Sequence, residues 1–289
     1  MQNQQPVVAI TTNLINICSQ LRRDVLRMVH AAQSGHPGGP LGCAEYFTAL
    51  YFEILNHNPE NFTIEGSGQD VFFLSCGHLS AGWYSVLARS GYFEVGELAT
   101  FRKIGSRLQG HPATAEGLPG IRIASGSLGQ GLSAAIGTAL GKKLNNDPNF
   151  VYVLLGDGET QEGQVWEAAM FAAKYKTDNL IATIDYNGRQ IDGNVNDIMP
   201  LGDLSAKWNA FGWEVIELNK GNDIVEVVKT LKLAKEKGGK GKPVMILMKT
   251  EMGNGVDFMM GTNKWHGIPP NDDELKSGLS QLEETLGDY

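Results

Sequence analysis

FVYVLLGDGETQEG at residues 150–163, a helix-length run at 164–175, LIATI at 180–184 and YNGRQIDG at 186–193 together decide the fold. The two strand-length segments are apolar throughout, with no alternation that would leave a solvated side. That pattern belongs to strands covered on both faces. Between them lies enough chain for one crossover helix, which parallel strands require. A glycine-rich loop follows each strand directly, and in open parallel sheets ligands bind at the carboxyl ends of the strands.

The same alternation extends outward. Leu14, Ile17, Leu21, Val25, Met28 and Val29 recur at helical spacing, which predicts a helix over 12–33 stopped by SGHPGGP. A second helix is expected over 41–55, a strand over 71–74 and a small-residue helix over 79–89. Helices over 129–144, 164–175 and 224–235 then alternate with strands over 150–155, 180–184, 213–218 and 243–248. The expected fold class is α/β, a largely parallel sheet with helices on both faces. No repeat or long linker divides the chain, so residues 1–289 read as a single domain.

Composition excludes several classes. The chain has 36 glycines among 289 residues, above the ~7% average and consistent with many tight βα turns. Its net charge of -8 gives no footprint for nucleic acid or an anionic membrane. The N-terminal MQNQQPVVAITTN lacks a basic and apolar leader pattern, and no stretch approaches the ~18 apolar residues of a membrane span. Cys18, Cys43 and Cys76 form no CxxC pair and cannot all pair with one another, so a reducing cytoplasm is the expected compartment.

The two loops offer a hard-cation site. Mg²⁺ takes oxygen ligands, commonly one or two from protein while phosphates and water supply the rest. Asp157 brings a carboxylate and Asn187 an amide oxygen, while Gly156 and Gly158 let backbone approach a phosphate. GDG alone is compatible with a plain turn. A GDG turn followed about 30 residues later by Asn, each after a strand, resembles the signature of thiamine-diphosphate enzymes.

Within that superfamily SGHPGGPLG at 34–42, LSCGH at 74–78, GHP at 110–112, SGSLGQG at 125–131 and WHG at 265–267 resemble transketolase, in its N-terminal, diphosphate-binding part. The resemblance implies thiamine diphosphate and Mg²⁺, or another divalent cation, as cofactors. It implies that Asp157, Asn187 and the Arg189 carbonyl hold the metal. Gly158 and Glu159 would lie at the diphosphate, Ile191 against the thiazolium ring, and Gly126, Leu128 and Gly129 beside the aminopyrimidine and ring edge. His78 and His266 would contact the diphosphate and the reacting carbons, and His36 and His111 the ketose hydroxyls; such imidazoles exchange protons near neutral pH. Glu162 matches a glutamate that faces the partner domain and links two active sites.

His30 and His57 match no such loop and read as a helix-face and a surface histidine. The lysines of 229–242 read as a solvated face and a helix C-terminus. Two departures border the expected sugar channel: Leu79 stands where the family has a small residue, and Ala113 where it has an acid.

The glutamate that protonates the aminopyrimidine and the phosphate-binding arginines belong to a domain absent from these 289 residues. The acidic ending ETLGDY reads as a natural terminus after an exposed helix. The expectation is therefore the N-terminal subunit of a split transketolase, moving a two-carbon ketol unit between sugar phosphates. It would be active with a separate C-terminal partner in an α2β2 assembly and bind cofactor weakly alone. The alternatives are a component like the E1 of 2-oxo acid dehydrogenases, a deoxyxylulose-phosphate synthase-like enzyme and a non-catalytic cofactor-binding homologue. SGHPGG and LQGHP, with their histidines, weigh against the first two, and Asp157, Asn187 and the four loop histidines against the third.

Overall fold

Strand β1 (Val71–Leu74), β2 (Val151–Gly156) and β3 (Leu180–Tyr186) are joined in register and in parallel. The short β4 (Arg189–Gln190) and β5 (Gly193–Asn194) form a separate antiparallel ribbon, after which β6 (Glu214–Leu218) and β7 (Val244–Lys249) complete the sheet. The five main strands run in the order β1-β2-β3-β7-β6, all parallel. The computed structural model describes residues 4–289, with side chains from residue 11 onward.

The helices are α1 (Gln4–Ala32), α2 (Gly38–Gly42), α3 (Ala44–Ala49), α4 (Ser80–Arg89), α5 (Gln130–Leu144), α6 (Gly163–Lys174), α7 (Val195–Ile198), α8 (Leu204–Ala210), α9 (Ile224–Lys237) and α10 (Asp272–Ser280). Successive strand residues point to opposite faces, so each strand serves two cores. Phe72, Leu74, Tyr152, Leu154 and Ile246 pack with α1, α3, α4 and α9. Val71, Val153, Leu155, Ile184 and Met245 pack with α5, α6 and Trp208 of α8. Each fully buried Val, Leu, Ile or Phe contributes about 1.5 to 3 kcal/mol, and the two cores together make continuously apolar strands stable here. The expected α/β fold, a parallel sheet covered by helices on both faces, is what the chain adopts.

Several boundaries differ from expectation. Among the described residues helix α1 already runs from Gln4, eight residues before the expected start. SGHPGGP ends one helix and also opens the next: α2 starts at Gly38, with Pro40 in its first turn. The single helix expected over 41–55 is instead α2, α3 and a π turn at Leu50–Ile54, closed by the Leu55 N–H on the Leu50 carbonyl at 2.9 Å. Helix α8 and the ribbon were not expected. His57 is not a surface histidine: it is half-buried, stacked on Tyr92 and bonded to the Tyr92 hydroxyl and the Tyr51 carbonyl at 2.9 Å each. His30 does sit on a helix face, 2.8 Å from Asp272. The lysines of α9 are only partly solvated, since Lys235 pairs with the buried Asp70 at 3.1 Å.

The acidic ending is not a loose tail. Asp288 pairs with Arg23 at 2.6 Å and with Arg27 at 3.2 Å, and the Leu286 and Gly287 carbonyls accept from Arg89. All three cysteines are free and buried. Among the described residues no helix is long and apolar enough to cross a membrane.

Candidate active site

The loops leaving β1, β2, β3 and β7 converge at the carboxyl edge of the sheet. They are joined there by the loop after α1 and by the 110–129 segment, around a cleft of about 330 Å³. Asp157, Gly158, Glu159, Glu162, Asn187, Arg189, Ile191, Gly126, Leu128, His36, His78, His111 and His266 all line it. Gly129 lies behind this wall as the residue that precedes α5, at φ +86, a conformation that suits glycine. A larger groove of about 540 Å³ lies against α9, with an apolar floor of Leu14, Ile224, Val225, Val228 and Leu233 and charged residues of which Lys232 pairs with Glu53 and Lys229 with Glu226. The smaller cleft is the chemical one.

One wall is acidic. Asp157 is buried, and its two oxygens accept from the Gly158 N–H at 2.7 Å and the Gly188 N–H at 2.6 Å. Burial first, and Asp185 beside it second, push its carboxyl up to about 7 against those two donors. No Lys or Arg pairs with it among the described residues, so no basic side chain offsets the cost of burying its charged form. Asn187 donates from Nδ2 to Asp185 at 2.8 Å, which turns its amide oxygen toward the Arg189 N–H, also at 2.8 Å. That oxygen keeps a second lone pair. The Arg189 side chain is directed to Asn194 at 3.0 Å, so its presence does not block its own carbonyl.

Among the described residues no three His, Cys, Asp or Glu side chains converge as a transition-metal cluster would. One carboxylate, one amide oxygen and one carbonyl suit instead a hard cation that completes its shell with phosphate and water. The donor set therefore fits Mg²⁺ held together with a diphosphate.

Glu159, expected at the cofactor, faces the cleft wall but has its carboxylate occupied by protein. It accepts from the Ser75 hydroxyl, the Gly129 N–H at 2.8 Å and the Gly156 N–H at 3.0 Å. It thus ties together the loops after β1 and β2 and the start of α5, and acts on the site through them. Glu162 precedes α6, is exposed and makes no capping bond to the helix.

The same cleft is lined by a cluster of four imidazoles. His36 stands 5.4 Å from His78, 6.2 Å from His111 and 5.9 Å from His266, and His78 stands 5.1 Å from His266, ring centre to ring centre. Burial and then the neighbouring rings and Arg102 push His36 down to about 4. Burial likewise lowers His78, where the other three rings add to it, and His111, where Arg102 does. His266 is lowered by burial against an opposing pull from Asp192. All four are neutral at pH 7, each able to donate from one nitrogen and accept at the other. Nδ1 of His36, Nδ1 of His266 and the Ser125 hydroxyl are buried without partners among the described residues. Leu128 at 38% and Ile191 at 60% exposure form an apolar margin that nothing covers.

Leu79, one of the two departures, is buried, with its methyl carbon 3.0 Å from where a Cβ on Gly39 would lie. It packs against Gly39 of the His36 loop and also lines the cleft. Sequence reasoning missed Asp185, Ser75 and Gln190. The last lines the cleft and accepts from Gln161 at 3.0 Å. An acid at the end of LIATID was the available signal for Asp185, and Ser75 and Gln190 stood inside LSCGH and YNGRQIDG without being singled out.

With this geometry in hand, the comparisons with known proteins are specific. The family described as "Transketolase, thiamine diphosphate binding domain" matches residues 12–286. The chain is 38% identical over 263 residues to one of the subunits of the apulose-4-phosphate transketolase of Actinobacillus succinogenes, covering 91% of this chain and 93% of that one. It is 39% identical to one of the subunits of a 6-deoxy-6-sulfo-D-fructose transketolase from a Clostridium species, over 91% of this chain and 94% of the relative. A solved transketolase from Pichia stipitis superposes with a TM-score of 0.86 at 32% identity, covering 93% of this chain and 40% of that one. The chain thus spans nearly the whole of the two subunits and about two-fifths of that solved chain.

Proposed function

The chain belongs to the transketolase family, in its thiamine diphosphate-binding domain, and from that premise we propose that it is the N-terminal half of a two-component, Mg²⁺-dependent ketol transferase. One observation carries the reading: the buried Asp157 carboxyl, with no basic side chain paired to it among the described residues, and a cluster of four imidazoles line one cleft. Residues 1–289 act as one domain in this proposal, since both cores share one sheet.

Asp157, Asn187 and the Arg189 carbonyl hold Mg²⁺, and the backbone at Gly158 receives the diphosphate. Leu128 and Ile191 flank the cofactor's ring system, with Gly126 and Gly129 shaping the turn beside it. Thiamine diphosphate, when bound, supplies the nucleophilic carbon and the electron sink that carbon–carbon cleavage needs. The histidines orient a polyol: His36 and His111 bond ketose hydroxyls, while His78 and His266 hold or move a proton next to the reacting carbons. Their neutrality at pH 7 suits both tasks. A row of uncharged donor–acceptor rings also favours a polyol over a 2-oxo acid, which would call for fixed cations.

The substrates we propose are a ketose phosphate donor and an aldose phosphate acceptor. The two relatives act, by their names, on apulose 4-phosphate and 6-deoxy-6-sulfo-D-fructose, sugars with an anionic end. The partner is a separate C-terminal subunit that covers Leu128 and Ile191 and meets Glu162, in an α2β2 assembly. Free buried cysteines favour the cytoplasm. The test is ketol transfer by this chain, the partner and their mixture, from xylulose 5-phosphate to ribose 5-phosphate and from other ketose phosphates. Activity only in the mixture, lost in Asp157→Ala, is expected; a mixture silent with every donor would refute the reading.

A further inference from the structure

Arg102 lies outside every motif assigned above, yet it connects two of them. It follows Phe101 in the segment FRKIGSRLQGHP at 101–112 and adopts φ +57, a conformation uncommon for a residue with a side chain. Its N–H closes the 102–108 loop on the Leu108 carbonyl at 2.9 Å. The guanidinium then forks: one nitrogen donates to the Ser34 hydroxyl at 2.9 Å, two residues before His36, and the other to the Gly110 carbonyl at 3.3 Å, one residue before His111. It lies flat on Gly110, where a Cβ would stand 2.6 Å from Cζ. Among the described residues it has no ion pair, and its Nε is buried without a partner. A half-buried guanidinium with no carboxylate is held only by these two bonds and by the Phe101 ring, 5.5 Å from its Cζ.

We infer that Arg102 is a positioning residue that clamps the His36 loop to the His111 loop and keeps an unopposed positive charge behind both rings. The groups facing the two imidazoles are few. His78, His111 and His266 surround His36, and Arg102 is the charged group that acts on it. Arg102 is the charged group acting on His111, whose ring rests on Gly126. Beyond Arg102 lies Tyr84, whose hydroxyl donates to the Gln109 carbonyl at 2.9 Å and is un-ionised, so it does not offset the charge. A cation at that place disfavours a second one on either ring. The two sugar-facing histidines are thereby kept neutral, and their separation is set by one rigid fork that lysine cannot reproduce.

The inference rests on the ketol-transfer reading for its kinetic consequence but not for its electrostatic one. Histidine NMR titrations of the full chain, with His36 and His111 assigned from single His→Gln variants, compare the native protein, Arg102→Gln and Arg102→Lys. Arg102→Gln should raise the midpoints of His36 and His111 and leave His57, which is bonded to Tyr51 and Tyr92, where it was. Arg102→Lys should leave all midpoints in place while raising the donor KM about tenfold in the mixed enzyme with little change in kcat, because the loops lose their fixed spacing. Midpoints of His36 and His111 unmoved in a folded Arg102→Gln would overturn the inference even if transfer is intact. Shifted midpoints without ketol transfer by any mixture would instead retire the functional reading and keep Arg102. Should Arg102→Gln not fold, Ser34→Ala removes one arm only: faster amide exchange at both His36 and His111 supports the clamp, and exchange changed at neither overturns it.

Discussion

Beneath α1 the buried charges are matched, and around the cleft they are not. Arg22 meets Glu45 at 2.7 Å, Arg89 meets Asp24 at 2.9 Å, and Ser85 donates to the same carboxylate at 2.8 Å. Across the molecule, the buried Asp157, the half-buried Arg102 and four imidazoles, of which His111 is exposed, have not one ion pair among them. The first region uses charge to fix how the helix and the C-terminal segment lie on the core. The second leaves its polar groups open, which is unfavourable in the free chain and becomes favourable when a ligand supplies the missing partners.

Breaking the matched region should have the largest effect on stability. Asp24→Ala strands Arg89 in a buried position and should cost about 3 to 5 kcal/mol in denaturant unfolding. In the cleft the effect depends on pH. A carboxyl raised from 3.8 to about 7 holds its proton more tightly folded than unfolded, so its contribution falls as pH rises through that window. The stability difference between the native chain and Asp157→Ala should therefore shift against the native chain by about 3 kcal/mol between pH 4 and 7. Saturating Mg²⁺ with thiamine diphosphate should remove that shift.

His36 runs in the opposite sense. Its folded value is lowered from 6.5 to about 4, so the stability it contributes is whole above 6.5 and lost as pH falls toward 4. Compared with His36→Gln, the native chain should lose less than about 2 kcal/mol over that range, the screening by nearby solvent keeping the effect small. Least of all, Leu128→Ala and Ile191→Ala should change the unfolding free energy of the isolated chain by under about 0.5 kcal/mol, since both side chains are exposed. The same variants should weaken cofactor binding in the mixed enzyme, and a large stability loss would mean that the margin is already covered.

The comparison also marks what the amino-acid sequence could reveal. VFFL, VYVLL and LIATI show a doubly covered parallel sheet because burial on both faces removes all alternation, a local property. GDG, the following Asn and LSCGH could be noticed for the same reason, each being a short run directly after a strand, while SGHPGGP after α1 and GHP at 110–112 stood out only by their Gly-His pattern. Asp185, Ser75 and Arg102 were not, because each acts across a long separation: Ser75 reaches Glu159 and Thr250 reaches Asp185 only in the folded chain. The docking of Asp288 on Arg23, 265 residues apart, was hidden by the same distance. The π turn at Leu50–Ile54 replaced a plain helix end for which the residue types give no warning.

The most direct test is the melting temperature of the isolated chain with Mg²⁺, with thiamine diphosphate, with both and with neither, repeated for Asp157→Ala. If the cleft lacks a cation and a diphosphate, the two together should raise the native melting temperature beyond either alone, and the variant should show no such gain. An equal rise in Asp157→Ala, or no rise in the native chain at any ligand concentration, would contradict the account.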